Sequence, residues 1–119
     1  MSYIQGFVLA VPTDNKEAYR EISAKIAPMF MDYGAERIVE CWGVDVPDGK
    51  LTDFRRAVKA EEGEQVVFSW VVWPDKKTHD DAHPKMMADP RMESNGPIPF
   101  DSKRMIFGGF EPIFDTDEG

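Results

Sequence analysis

Cysteine is almost missing: Cys41 is the single one in 119 residues. A lone thiol closes no intrachain disulfide, so stability has to come from a packed core, and the composition fits a reducing compartment. Positive charge is also scarce, with 14 Lys and Arg against 22 Asp and Glu and a net charge of −8. Proteins engage the phosphate backbone through clustered Lys and Arg, so this balance speaks against a nucleic-acid partner. The acidic excess is spread along the chain, dense only at Glu61-Glu62 and in a tail from Asp115 to Glu118, and serves solubility. No uninterrupted apolar run approaches the roughly 20 residues that span a bilayer. The N-terminus shows no basic segment leading into an apolar one with a small-residue cleavage site. No Gly-rich turn runs into Lys-Ser/Thr, and no serine stands in a nucleophile-elbow context, which argues against nucleotide hydrolysis and serine-hydrolase chemistry. The expectation is one cytoplasmic domain, residues 1–119, with neither nucleic acid nor membrane as partner.

What the chain does have is apolar patterning. At 42% hydrophobic residues, it buries roughly two-thirds of its unfolded surface. Val66 to Trp73 is β-branched and aromatic, carries no formal charge, and is stopped by Pro74. In a strand, Val66, Phe68, Trp70 and Val72 point one way and Val67, Ser69, Val71 and Trp73 the other. Both faces are mostly apolar, which places this strand in the middle of a sheet covered on both sides.

The remaining elements arrange themselves around it. Tyr3 to Val11 reads as a first strand ended by Pro12. Thr13 or Asp14 can cap a helix running to about Asp32, with Ala18, Ile22, Ile26, Met29 and Phe30 as its apolar stripe. Pro28 should kink or shorten it, and Gly34 is its natural stop. Glu36 to Val46 is a second strand, with Ile38, Glu40 and Trp42 on a common face. Leu51 to Ala60 is either a short helix capped by Thr52 or Asp53 or an extended arm. Asp75 can cap another helix, interrupted by Pro84 and ended at Asp89-Pro90, and a Pro-rich loop anchored by Ile98 and Phe100 follows. Met105 to Phe110 is the last strand, its Gly108-Gly109 marking a bulge or a close backbone approach.

Strand, helix, strand, strand, helix, strand is the order of a ferredoxin-like α+β fold with an antiparallel sheet. Right-handed crossovers put both helices on one face. The other face then keeps its apolar residues with nothing from its own chain above it. A bare patch of that size is rare on a soluble monomer, and a two-fold homodimer packed sheet on sheet resolves it.

The segments Gly6 to Pro12, Glu40 to Lys50, Thr52 to Ala60, Val66 to Trp70, Asp89 to Met92 and Pro99 to Glu111 closely resemble the YbaA-like family of small bacterial proteins, over nearly the whole chain. The resemblance implies a dimeric α/β barrel, a superfamily that includes cofactor-free monooxygenases, muconolactone-isomerase-like enzymes and haem enzymes. It implies no activity for the family itself and transfers no catalytic residue. A label tying some members to signal recognition particle RNA is at odds with the acidic balance here.

Residues that can carry chemistry are few. Glu40 shares a strand face with Ile38 and Trp42, where desolvation raises a carboxyl's pKa and fits it for proton transfer; the competing role is an ion pair with Arg104. His79 and His83, four apart, put two imidazoles on one helix face without a third ligand at a diagnostic spacing, so they read as solvent-facing before they read as a metal pair. Cys41 is either a nucleophile or an apolar filler, more simply the latter. Arg91, Asp101 and Arg104 flank the Pro-rich loop and either clamp a small anion or pin the loop. Trp42, Trp70 and Trp73 offer flat surfaces to an aromatic ligand, or serve as core and interface anchors. No cofactor or metal is called for. The reading is a small-molecule enzyme doing proton transfer or cofactor-free oxidation, with Glu40 and His83 as catalytic candidates. The alternative is a non-catalytic ligand-binding or stress-related homodimer.

Overall fold

The computed structural model describes residues 2–92 and 97–117. Its sheet is antiparallel throughout, in the order β2-β3-β1-β4, with β1 Tyr3–Pro12, β2 Arg37–Trp42, β3 Glu64–Trp73 and β4 Ile106–Phe110. The crossovers carry α1 (Lys16–Asp32) and α3 (Lys76–Ala88), and a one-turn helix α2 (Phe54–Ala57) lies between β2 and β3. This is the ferredoxin-like arrangement expected from the element order.

The alternation along β3 decides which face is covered. Val67, Ser69, Val71 and Trp73 are all buried, because both α1 and α3 lie over that side. Met29 of α1 and Ala82 and Met86 of α3 close on Val71 and Trp73 in one cluster, and Leu9 and Val11 of β1 join Val67 and Tyr19 in a second. Trp73 has no exposed surface, and its indole N–H donates to Gln5 Oε1 at 3.1 Å, as a buried polar tip requires. The opposite face keeps Phe68, Ile106 and Phe110 between 45% and 59% exposed.

That second face is not wholly bare, which corrects the expectation. Val58, just past α2, is buried against Ala10 and Val66 at one corner, so the segment after β2 covers what the crossover helices cannot reach. The segment is a helix and not an arm: Asp53 caps it, accepting from the Arg56 amide at 2.7 Å.

Neither proline breaks its helix. Pro28 and Pro84 lie inside α1 and α3. The carbonyls they leave without a partner belong to Ala24 and Asp80, both exposed, so water can bond them. Neither Thr13 nor Asp14 caps α1: both lie in a 3-10 turn before it, and the Thr13 hydroxyl donates to the Gly63 carbonyl at 2.9 Å. Asn15, the residue just before α1, makes no side-chain cap and turns its Nδ2 to the Pro99 carbonyl at 2.9 Å. The end of α1 is as expected. Gly34 has φ 112°, its amide bonds the Met31 carbonyl and that of Ala35 the Phe30 carbonyl, a Schellman closure. β2 is shorter than expected, ending at Trp42 and leaving Val44 93% exposed. Gly108 and Gly109 stay in register with Gly6 and Gln5, so no bulge forms. The pair reflects a close approach, since a Cβ on Gly109 would collide with the Tyr3 ring and hydroxyl.

Candidate functional site

Between α1 and the covered face of the sheet lies a cleft of about 410 Å³. Tyr19, Ser23, Ile26 and Phe30 form its helical wall at spacings of three and four, and Phe7, Ile38 and Val71 form the floor. Ile98, Phe100 and Met105 roof it, the Phe100 ring meeting Tyr19 edge-on at 5.6 Å. A second cleft of about 400 Å³ opens toward Lys16 and Trp42 and shares Tyr19, Ser23, Ile38 and Glu40 with the first.

The polar groups converge where the clefts meet. Glu40 stands opposite Ser69 in the β2–β3 ladder, and the Tyr19 hydroxyl donates to Glu40 Oε1 at 2.6 Å. Desolvation by the surrounding protein pushes the Glu40 carboxyl up, against hydrogen bonds from Tyr19 and Ser69 that favour its charged form. Glu40 is nonetheless an exposed residue, so solvent screens the carboxyl and its upward shift is that of a group open to water, not of one sealed in the core. Burial and the adjacent carboxylate together push the Tyr19 phenol well above its ordinary range, which leaves it a proton donor at every working pH. No ion pair forms at Glu40 among the described residues: Arg104, its expected partner, instead grips Glu64 with two bonds of 2.7 Å.

The other candidate residues disperse. Trp42 lines the second cleft with the Lys16 ammonium 5.4 Å from its ring centroid, whereas Trp70 stands on the opposite face of the sheet beside Phe68. Trp73 is core. Arg91 bonds Asp89 and Asp32, joining the ends of α3 and α1, while Arg104 binds both Asp101 and Glu64. The proposed three-residue anion clamp is thereby divided between two anchors, each pinning one end of the Pro-rich loop; residues 93–96 of that loop lie outside the described residues. His83 and His79 face a separate groove beside Gly108 and Gly109. His83 is exposed, but His79 is tucked against Tyr3 and Trp73, ring centroids 4.9 and 5.5 Å away, instead of facing solvent. Among the described residues, no three His, Cys, Asp or Glu side chains gather as a metal site. Neither cleft has a histidine among its described lining residues.

Tyr19 and Ser69 were missed from the sequence. Ser69 carried a signal, as the one polar residue in the apolar run of β3, on the strand face that turned out to lie beneath α1. Tyr19 lay one position off the chosen apolar stripe.

A four-stranded antiparallel sheet with both crossover helices on one face and a polar group between them is ferredoxin-like, the protomer architecture of dimeric α/β barrels. The chain belongs to the family described as protein of unknown function (DUF1428), matching it over residues 2–102. It is 64% identical over 116 residues to the uncharacterized protein YbaA of Escherichia coli strain K12, covering 97% of this chain and 99% of that protein. The same figures hold for YbaA of Shigella flexneri. Among solved structures it is similar to Rv0793 from Mycobacterium tuberculosis, with TM-score 0.50 and 13% identity over 98% of this chain and 99% of that one, a likeness of fold. The family and the YbaA relatives carry no stated activity.

Proposed function

We propose that the cleft is the site of a small-molecule enzyme in which Glu40 moves a proton on a compact, largely apolar substrate. One observation carries this reading: a carboxyl with no cationic partner among the described residues, bonded at 2.6 Å by a tyrosine, in a largely apolar cleft. Glu64, by contrast, has Arg104 to neutralise it. Glu40 has hydrogen-bond donors alone, and desolvation raises its carboxyl above the ordinary value, which suits a group that both takes and returns a proton. Tyr19 and Ser69 hold it in place and stabilise its charged form.

The test is hydrogen–deuterium exchange at carbon in D₂O, followed by proton NMR over a panel of enolisable carbonyl compounds. Exchange by the wild type and a loss of about 10²–10⁴-fold in Glu40→Gln is expected. Compounds that bind the cleft yet never exchange would leave a ligand-binding protein without catalysis.

We infer also that two copies pair through the open sheet face. Phe68, Ile106, Phe110 and Phe54 are each between 45% and 59% exposed, and the Phe54 and Trp70 rings lie within 6.2 Å of Phe68. A contiguous apolar surface of this kind calls for a partner. Light scattering should give twice the chain mass, and Phe68→Glu a folded monomer. The single cysteine and the lack, among the described residues, of a helix able to cross a membrane suit a cytoplasmic setting.

A further inference from the structure

The two clefts that meet at Glu40 differ in character. Under the Ile98–Phe100–Met105 roof the walls are aliphatic and aromatic, and their polar side chains are Tyr19, Ser23, Glu40 and Ser69. The second cleft carries charge of both signs: Lys16, Glu17 and Arg20 from α1 face it, with Glu40 and Trp42 of β2 beside them. Arg20 is neutralised by Glu17 at 2.6 Å. Lys16 makes no ion pair among the described residues and holds its ammonium over the Trp42 ring. A cation over an aromatic face keeps its remaining N–H donors free for an anion.

We propose that the substrate is an amphipathic anion, with an alkyl or aryl body in the roofed chamber and a carboxylate head at Lys16 beside Trp42. The spacing suits one molecule. Glu40 and Trp42 are alternate residues of β2, so their side chains rise about 7 Å apart along the strand. A head group at Lys16 therefore leaves the atoms a few bonds further in beside the Glu40 carboxyl and the Tyr19 hydroxyl. The separation also keeps the substrate's charge off Glu40, whose own charge would repel it at closer range. Orienting the molecule this way rests on the reading of Glu40 as the reacting group, but the recognition of the anion does not.

The experiment is a titration of the full-length protein with phenylacetate and with its neutral amide, phenylacetamide, at low salt, observed by amide and indole NMR shifts. Phenylacetate is expected to bind roughly fivefold more tightly, moving the Trp42 indole signal, as a partly exposed ammonium–carboxylate contact allows. Lys16→Met, which keeps most of the stem over Trp42, should bring the acid down to the amide and leave the amide unchanged. Glu40→Gln should preserve the preference. Equal affinity for the two probes, a preference that survives Lys16→Met, or shifts confined to residues away from both clefts would each overturn the proposal. Because the readout is binding, a protein that prefers the acid yet exchanges no proton refutes catalysis by Glu40 and keeps the anion site.

Discussion

The two faces of one sheet have nearly the same amino-acid chemistry and opposite fates. Along β3, Trp73 is fully buried and Val71 4% exposed on one side, while on the other Phe68 is 47% exposed. Hydrophobicity alone does not distinguish them; chain handedness does, since right-handed crossovers deliver α1 and α3 to the same side. The covered side then diverges again. Where α3 meets the C-terminal end of α1 over it, the space is filled by Met29 of α1 and Ala82 and Met86 of α3, and where the rest of α1 and the roof lie over it, a cleft remains with Glu40 inside. One face thus supplies both the core and the candidate site, and the other supplies a surface suited to a second copy.

The sharpest way to break this comparison is to shave equivalent aromatics from the two faces of β3. Trp73→Ala should cost the protomer about 3–5 kcal/mol, from lost packing and an unpaired Gln5 side chain. Phe68→Ala should cost the isolated protomer less than about 1 kcal/mol, because half of that ring is already in water. Urea unfolding at several protein concentrations separates the two. The Trp73 variant should lose stability equally at all of them, and the Phe68 variant should chiefly lose the concentration dependence. A Phe68 loss as large and as concentration-independent as that of Trp73 would show that no partner covers the face.

Arg104 joins the two sides. It holds Glu64 at the start of β3 and the Lys59 carbonyl after α2, while its neighbours Phe100 and Met105 roof the cleft. The Arg104 guanidinium pulls the Glu64 carboxyl from 4.5 down to about 2. A carboxyl lowered in the folded state contributes stability that is complete above its unfolded value and disappears as pH falls through the folded one. Stability should therefore hold from neutrality to about pH 4.5 and fall toward pH 2. Arg104→Met should cost about 2–3 kcal/mol at neutral pH, since Glu64 has 9% of its side chain exposed and would keep an unpaired charge. It should also flatten the acid limb of a denaturation-versus-pH curve.

Smaller still is the closure that turns α1 toward β2. Gly34→Ala places a Cβ at φ 112° and 2.6 Å from Thr78 Cγ2. The expected loss is about 1–2 kcal/mol in urea unfolding, with the oligomeric state unchanged. An unchanged midpoint would mean that α3 gives way at Thr78 and that the α1–α3 layer is looser than its packing indicates.

Much of this architecture could be read from residue order. The run Val66 to Trp73, the proline stops and Gly34 established the element sequence, and that sequence with crossover handedness gave the topology. What could not be read was which face met the helices, since Phe68 and Val71 are equally good core residues by type. The prolines misled because their cost depends on whether the carbonyl one turn back can find water, which is a matter of tertiary exposure. Glu40 was legible as a carboxyl between Ile38 and Trp42 on one strand face. Its partner was not, because Tyr19 reaches it only through the angle at which α1 crosses the sheet, and Arg104 was claimed by Glu64 through a loop closure distant in sequence.

The smallest expected effect bears most directly on function. Glu40 has its carboxyl pushed up by desolvation, the reverse of Glu64, so its ionised form is the one the folded state disfavours. By linkage, its charge subtracts stability at neutral pH, and that stability returns as pH falls through the raised folded value. Glu40→Gln keeps an acceptor for the Tyr19 hydroxyl and removes the charge. It should therefore stabilise the protein at neutral pH, by less than about 1 kcal/mol because solvent reaches the carboxyl through both clefts. The gain should vanish in acid, where the wild-type carboxyl is protonated too. Thermal melts across the pH range would display the two curves converging at low pH. A variant that melts lower at every pH would instead make Glu40 a structural anchor for Tyr19, and the covered face would then hold a core with a gap in it and no site. A stabilised variant that has lost proton exchange would mark Glu40 as a residue kept at a cost to folding for its chemistry.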